Sequence, residues 1–420
     1  MVNEDLNTGS SRRLRDKGSR WRPAAVLAVA VSLLLTACSG GGSDFGPTGQ
    51  GATGGSEDSV LTSLPKDLQD DYENFKVPTG PTPYLENWKP KGPPPWTIGY
   101  ASPYSGNSWQ TRAMTHLMDD VIPAYKKAGL VDEVVVTQSN SDDTVQNQQI
   151  RQLVDQGVDI LIACCSSATA LNQSIQYAHD KGVPFVNFSG HVDSPYSISA
   201  LTNYFEAGRV SAESVITKMG GKGNLLDVLG VPGAANAADF EAGVQAAVAK
   251  HPDVKIVGTV TGQWSAPVTK TEVQKFLATN TGEINGIVVQ PASATGALQA
   301  LQQSGRPIVP INIGGETGAA CYWVKNPQFA TTGFNIWPPG EEIALGVETA
   351  VRTLEGQGPL IRSIVRTPSE FSYDYAKEKL GTNCDVNADG WLEPPTGTWL
   401  SGEHLDKFFK NPSDPMAWKP

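Results

Sequence analysis

The 420-residue chain is long enough for two cores of ordinary size, and 39% hydrophobic with 18% charged residues reads as globular. A net charge of −11 argues against a nucleic-acid partner, because phosphate contacts need a basic surface. No apolar run reaches the roughly 18 residues that a membrane-spanning helix requires.

The opening reads as an export signal. Arg12, Arg13, Arg15, Lys17, Arg20 and Arg22 precede an apolar run over 24–35, too short to cross a bilayer. Leu35-Thr36-Ala37-Cys38 follows and resembles the lipobox of bacterial lipoproteins, in which the cysteine, here Cys38, is lipidated and becomes the first residue. Residues 1–37 are thus expected to be removed, leaving a body at −14 held to the outer face of the cytoplasmic membrane by lipid alone. Residues 38–95 are expected to form a tether and lead. They are Gly/Ser-rich to about 55, then charged and proline-rich up to Pro93-Pro94-Pro95, a stiff approach to the first strand rather than a domain.

From Trp96 the hydrophobic period alternates. Residues 97–101 read as a strand, and 108–128 as a helix with Met114, Leu117, Met118, Val121, Ile122 and Tyr125 on one face. Strands at 133–137, 160–163 and 185–188 alternate with helices at 144–156 and 168–181. A second series follows: helix 206–219, strand 224–229, helix 236–250, strand 255–260, helix 266–279, strand 286–290, helix 294–303 and strand 308–311. Gly129, Gly157, Gly182, Gly220 and Gly305 fall just past helix ends, where a left-handed cap turns the chain back. The pattern predicts α/β architecture with parallel sheets in two similar lobes.

The order of motifs carries a family likeness. Ile98-Gly99, Gln148-Gln149-Ile150 through Gln156-Gly157-Val158-Asp159-Ile160, Lys181-Gly182-Val183-Pro184, Glu206-Ala207-Gly208-Arg209, Gly221-Lys222-Gly223 and Gly296-Ala297-Leu298 resemble, over about 96–367, the ribose-type sugar-binding proteins of ABC transporters, the type I periplasmic binding proteins. The resemblance implies two Rossmann-like lobes joined by three crossover strands near Thr202-Asn203, Asn335 to Trp337 and Pro368. The lobes would be 96–202 plus 336–367, and 203–335 plus 368–420.

The resemblance also implies a site. Tyr104, Asn107 and Trp109 follow strand one, and Trp264 occupies the family's second-lobe aromatic position. Gln290, Asn312 and the hinge amide Asn335 match amide or acid positions, with Trp337 beside the last. Cys164, Ser189 and Asn236 complete the candidate set. Where ribose-type proteins carry an Asp-Arg pair this chain reads Ser189-Gly190, and the arginine expected near Asp239-Phe240 is absent. Those charges fork onto sugar hydroxyls, so the expected guest is a neutral sugar or sugar-like molecule less densely hydroxylated than a pentose.

Four cysteines remain after Cys38. Cys164-Cys165 reads either as two buried thiols, the plainer alternative, or as a vicinal disulfide forming an apolar plate beside the ligand. A bridge between Cys321 and Cys384 would tie down the tail. Asp385, Asn387, Asp389 and Gly390 resemble the start of a calcium loop, but Thr396 stands where the bidentate Glu belongs, and an Asx turn is the better reading.

No enzyme constellation emerges. The sequence lacks G-x-S-x-G, H-E-x-x-H and a Walker loop, and its five histidines are scattered. No cofactor is expected. The expectation is capture by hinge closure and delivery to an ABC permease, with presentation of the liganded form to a membrane signalling partner as the alternative.

Overall fold

The computed structural model describes residues 60–103, 106–335, 338–393, 395, 402–413 and 417–418, with the side chain of Asn335 excepted. The expected signal peptide, Cys38, most of the tether, Tyr104 and Trp337 lie outside these residues.

Eleven strands appear in chain order among them: β1 (Trp96–Ser102), β2 (Val131–Gln138), β3 (Ile160–Cys164), β4 (Phe185–Phe188), β5 (Ser197–Thr202), β6 (Gly223–Leu229), β7 (Val254–Thr261), β8 (Gly286–Val289), β9 (Gly333–Asn335), β10 (Ser363–Arg366) and β11 (Ser369–Phe371). The first lobe is built on a six-stranded, all-parallel sheet in the order β10-β5-β4-β3-β1-β2. β3 and β4 are buried along their whole length, as strands covered by helices on both faces must be. The second lobe has the parallel order β7-β6-β8, and β9 pairs antiparallel with β11. The strand expected at 308–311 is reduced to single parallel bridges, Ile287 to Ile311 and Ile313 to Gly333. Pro310 removes a ladder donor there.

The chain passes between lobes after β5, after β9 and after β10. Two helices of the second lobe, Tyr204–Lys218 and Ala235–Val248, cross closely enough that a Cβ on Gly208 would strike the Phe240 carbonyl, and one on Gly243 the Phe205 carbonyl. The helix expected at 108–128 is three pieces, Ser108–His116, a π-helical turn Leu117–Val121 and Ile122–Lys127. Pro123 lacks the amide that a continuous ladder would need. The expected glycine caps at 129, 157, 182, 220 and 305 all have positive φ.

Two boundaries differ from expectation. Residues 60–95 are not a free lead: Leu64, Leu68, Tyr72, Phe75 and Leu85 are buried in the first-lobe core. The Gly80 carbonyl accepts from the Arg362 amide at 2.9 Å, and the Trp88 indole donates to the Gly182 carbonyl at 2.9 Å. The tail is not wholly in the second lobe either. Residues 402–413 return to the first, burying Leu405, Phe408 and Phe409, with the Leu360 amide donating to the Phe408 carbonyl at 2.7 Å. Apolar burial draws both segments down, through residues at helical spacing: Leu64, Leu68 and Tyr72 in one, Leu405, Phe408 and Phe409 in the other.

Candidate ligand-binding site

In each parallel sheet the winding reverses beside the first strand of the lobe, between β1 and β3 and between β6 and β8. Loops leaving the carboxyl ends of such neighbours diverge and open a crevice. The two crevices face each other here. Pro103 and Asn107 after β1, Cys165, Ser166 and Ser167 after β3, Val231 to Ala234 after β6, Gln263 to Ser265 after β7, and Pro291 and Ala292 after β8 line one cavity of about 220 Å³. Among the described residues, nine other than glycine have positive φ, and six of them (Ser141, Cys165, Ser189, Gln263, Trp264 and Ala292) line this cavity. Backbone held in sparsely populated regions concentrates at functional sites, so the clustering itself marks the place.

Contacts across the cavity hold the lobes together. Asn107 caps the helix Ser108–His116 by accepting from the Gln110 amide at 2.8 Å, while its side-chain NH2 donates to the Trp264 carbonyl of the other lobe at 3.0 Å. Asn236 donates to the Ser189 carbonyl at 2.8 Å, and the Ala235 amide donates to the Ser166 carbonyl at 3.3 Å. His191 Nδ1 lies 3.1 Å from Asp239 Oδ2, also between lobes, with Asp193 3.7 Å from its Nε2. Burial depresses the His191 pKa, but the Asp239 hydrogen bond and the two carboxylate charges outweigh it and raise the pKa overall. The structure is therefore the closed arrangement of the two lobes.

Of the expected residues, Asn107, Trp109, Ser189, Asn236 and Trp264 line the cavity together. Gln290 stands one layer behind. Its carbonyl oxygen accepts from the Trp264 indole at 2.9 Å and its NH2 donates to the Ala237 carbonyl at 3.0 Å, so it fixes the indole and the helix carrying Asn236. Gly230 makes room for that pair, since a Cβ would collide with both the Gln290 oxygen and the indole nitrogen. Asn312 is not at the cavity. It clamps the backbone of β8, accepting from the Val289 amide at 2.8 Å and donating to the Val289 carbonyl at 2.9 Å.

Cys164 is fully buried and does not reach the cavity, because a side chain at the end of β3 points into the sheet's covered face. Its neighbour Cys165, turned outward by a φ of 69°, lines the wall instead. The two are joined as a vicinal disulfide rather than left as free thiols. Cys321 and Cys384 are bridged within the second lobe. Among the described residues no group of three or more His, Cys, Asp or Glu is placed to hold a metal ion. In the candidate calcium loop Asp385 accepts from the Asn387 amide at 2.9 Å, and Asn387 accepts from Gln299 at 3.0 Å, which makes the loop an Asx turn. Sequence reasoning missed Ser166, Ser167, Gln263 and Val231 to Ala234, although all sit at the strand ends where ligands collect.

Facing crevices between two parallel-sheet lobes, lined from the strand ends of both, are the architecture of a two-lobed solute-binding protein. Residues 98–358 match the periplasmic binding protein domain, and the chain belongs to that family, whose members bind solutes and are not enzymes. It is 29% identical over 275 residues to the xylitol-binding protein of Mycolicibacterium smegmatis, covering 64% of this chain and 77% of that one. It is 25% identical over 212 residues to the ribose import binding protein RbsB of Bacillus subtilis, covering 49% and 67%. An ABC transporter solute-binding protein from Thermobispora bispora shares the fold with a TM-score of 0.64 at 23% identity, over 71% of this chain and 92% of that one. A solute-binding protein from Mycobacterium smegmatis with bound glycerol gives 0.62 at 20%, over 72% and 100%.

Proposed function

We propose that this chain is an exported, lipid-anchored receptor that closes its two lobes on a small neutral sugar or polyol and delivers it to an ABC importer. The observation that carries the reading is the charge of the cavity: among the described residues that line it only Asp143 carries a charge, and none is lysine or arginine. An anionic guest would meet no counter-ion among them, and burying one unpaired is prohibitive. Trp109 and Trp264 supply apolar plates for the carbon faces of a polyol, while Asn107, Ser189, Asn236 and the serines after β3 supply amides and hydroxyls. The xylitol-binding protein is a relative of fitting chemistry. The Leu35-Thr36-Ala37-Cys38 sequence supports the anchor on Cys38, and with it a place on the outer face of the cytoplasmic membrane.

A thermal-shift panel of pentitols, tetritols, pentoses and hexoses, followed by calorimetry, tests the ligand class. A polyol at a hundredfold excess over its Kd should stabilise the protein by about 2.7 kcal/mol. Preference for an amino acid or a sugar acid would sink the reading. The lipid is tested separately by mass spectrometry of the mature N-terminus.

A further inference from the structure

One buried carboxylate touches the chain beside all three passages between the lobes. Glu342 lies in the first turn of the helix Pro339–Leu354, just after the second passage. Its Oε1 accepts from the hydroxyl of Thr202, the last residue of β5, at 2.6 Å. Arg366, the last residue of β10, is 3.7 Å from the same oxygen and 3.5 Å from Glu341 Oε2. The other oxygen of Glu342 is 3.1 Å from the Tyr204 hydroxyl, which is 3.0 Å from Ser189 Oγ. Glu342, Tyr204 and Ser189 are 1%, 0% and 2% exposed, and Ser189 lines the cavity. A file of three hydrogen-bonding groups thus runs from the hinge to the site.

We propose that Glu342 is a positioning residue for the ligand: acting through Tyr204, its protonation state decides whether the Ser189 hydroxyl meets the guest as acceptor or as donor. The inference rests on the cavity being the ligand site. A tyrosine hydroxyl has one proton to give. When Glu342 is ionised, Tyr204 donates to it, Ser189 donates to Tyr204, and Ser189 turns only lone pairs to the cavity. When Glu342 is neutral, it donates to Tyr204, Tyr204 donates to Ser189, and the serine proton is released toward the guest. The ionised form also polarises the file, making Ser189 the stronger acceptor for a donating hydroxyl.

Burial pushes Glu342 up to about 7, with Glu341 adding to the rise, while Arg366 and the Thr202 and Tyr204 hydroxyls hold it down. Both states are therefore populated near neutrality. Asp71, hydrogen-bonded to Thr367, also feels the Arg366 charge, and Glu393 lies beyond Glu341 against Gly340. Tyr204 keeps its proton throughout, its pKa lying well above 10 through burial and the Glu342 charge.

The test uses the full chain carrying His191→Gln, which removes the histidine contact across the gap. With xylitol as probe, calorimetry should show binding about threefold tighter at pH 8 than at pH 6. Adding Glu342→Gln, whose amide donates to Tyr204 permanently, should hold affinity at the pH 6 level at both pH values. Tyr204→Phe, which cuts the file, should also give a flat profile. A profile already flat in the parent, or one surviving both substitutions, overturns the proposal. A second readout needs no ligand: with 13Cζ-labelled tyrosine, the Tyr204 resonance, identified by its loss in Tyr204→Phe, should titrate near pH 7 and stop titrating in Glu342→Gln. An unmoved resonance overturns the relay whatever xylitol does. A titrating resonance with no xylitol binding at any pH instead sinks the proposed ligand class and leaves the relay standing.

Discussion

The two lobes reach the same architecture by different means. The first carries six paired strands, and both ends of the chain body fold back onto it, residues 60–95 and 402–413, which meet where Lys407 pairs with Asp67 at 3.0 Å. The second pairs only three strands in parallel, extends them by two single bridges, and ties its tail down through Cys321 and Cys384. It also depends on Glu316, a fully enclosed carboxylate that accepts from the amides of Ser293 at 2.8 Å and Ala294 at 3.1 Å and so caps the helix Ala294–Gln303. The first lobe is held by area removed from water. The second substitutes a covalent link and a few strong polar contacts where area is short.

Four experiments break or sharpen that contrast. The largest effect belongs to Arg352, which is 0% exposed and pairs with Glu348 at 2.8 Å and Asp406 at 2.6 Å, joining the helix Pro339–Leu354 to the returning tail. Arg352→Ala strands Glu348 in the core and should cost about 3–5 kcal/mol by urea unfolding, with hydrogen exchange locating the loss in the first lobe. Equal loss of protection in both lobes would refute the separation. Replacing Cys321 and Cys384 together by serine should cost about 2–4 kcal/mol, with lost protection confined to the second lobe.

Trp264 tests the site rather than the walls. Trp264→Ala should weaken polyol binding by about 2 kcal/mol, near thirtyfold in Kd, while shifting unfolding little. A change under twofold would make the indole a packing residue. The smallest effect concerns His191. Its pKa is raised in the closed form, so its contribution to closure is complete below the ordinary histidine value and is lost as pH rises through the raised one. His191→Gln should therefore weaken binding by about 0.5–1 kcal/mol at pH 5.5 and have no effect at pH 8.5, read by calorimetry.

What the sequence disclosed and what it hid divide along physical lines. Strands such as β3 and β6, and helices closed by glycine, were legible because burial on both faces or one face leaves a period. β5 was not: Ser197-Ile198-Ser199-Ala200 alternates, but its serines are enclosed by β4 and β10 rather than facing water. The helix Thr317–Lys325 follows Gly314-Gly315 and was hidden by its own breaker. Leu64, Leu68 and Tyr72 do recur at helical spacing, but the helix Lys66–Asp70 at their centre is short and lies among charged and proline-rich residues that mask it. Within the site, Asn107 and Trp264 were reachable because strand-end loops follow from topology. That Gln290 serves the Trp264 indole, and Asn312 the β8 backbone, depends on distances no spacing encodes. Glu342 was invisible for the same reason: it borders three passages that lie far apart in the chain.

The return of residues 402–413 bears on motion. Trp391 bridges to Glu316 in the second lobe, Glu393 reaches Arg112 of the first at 3.0 Å, and Leu405 is already seated in the first. Glu393 lies against Gly340, so this contact ties the second lobe to the first close to the second passage. A door tied again beside its hinge keeps its arc but turns more stiffly, so releasing that tie with Arg112→Ala should speed opening, read as faster dissociation of bound solute.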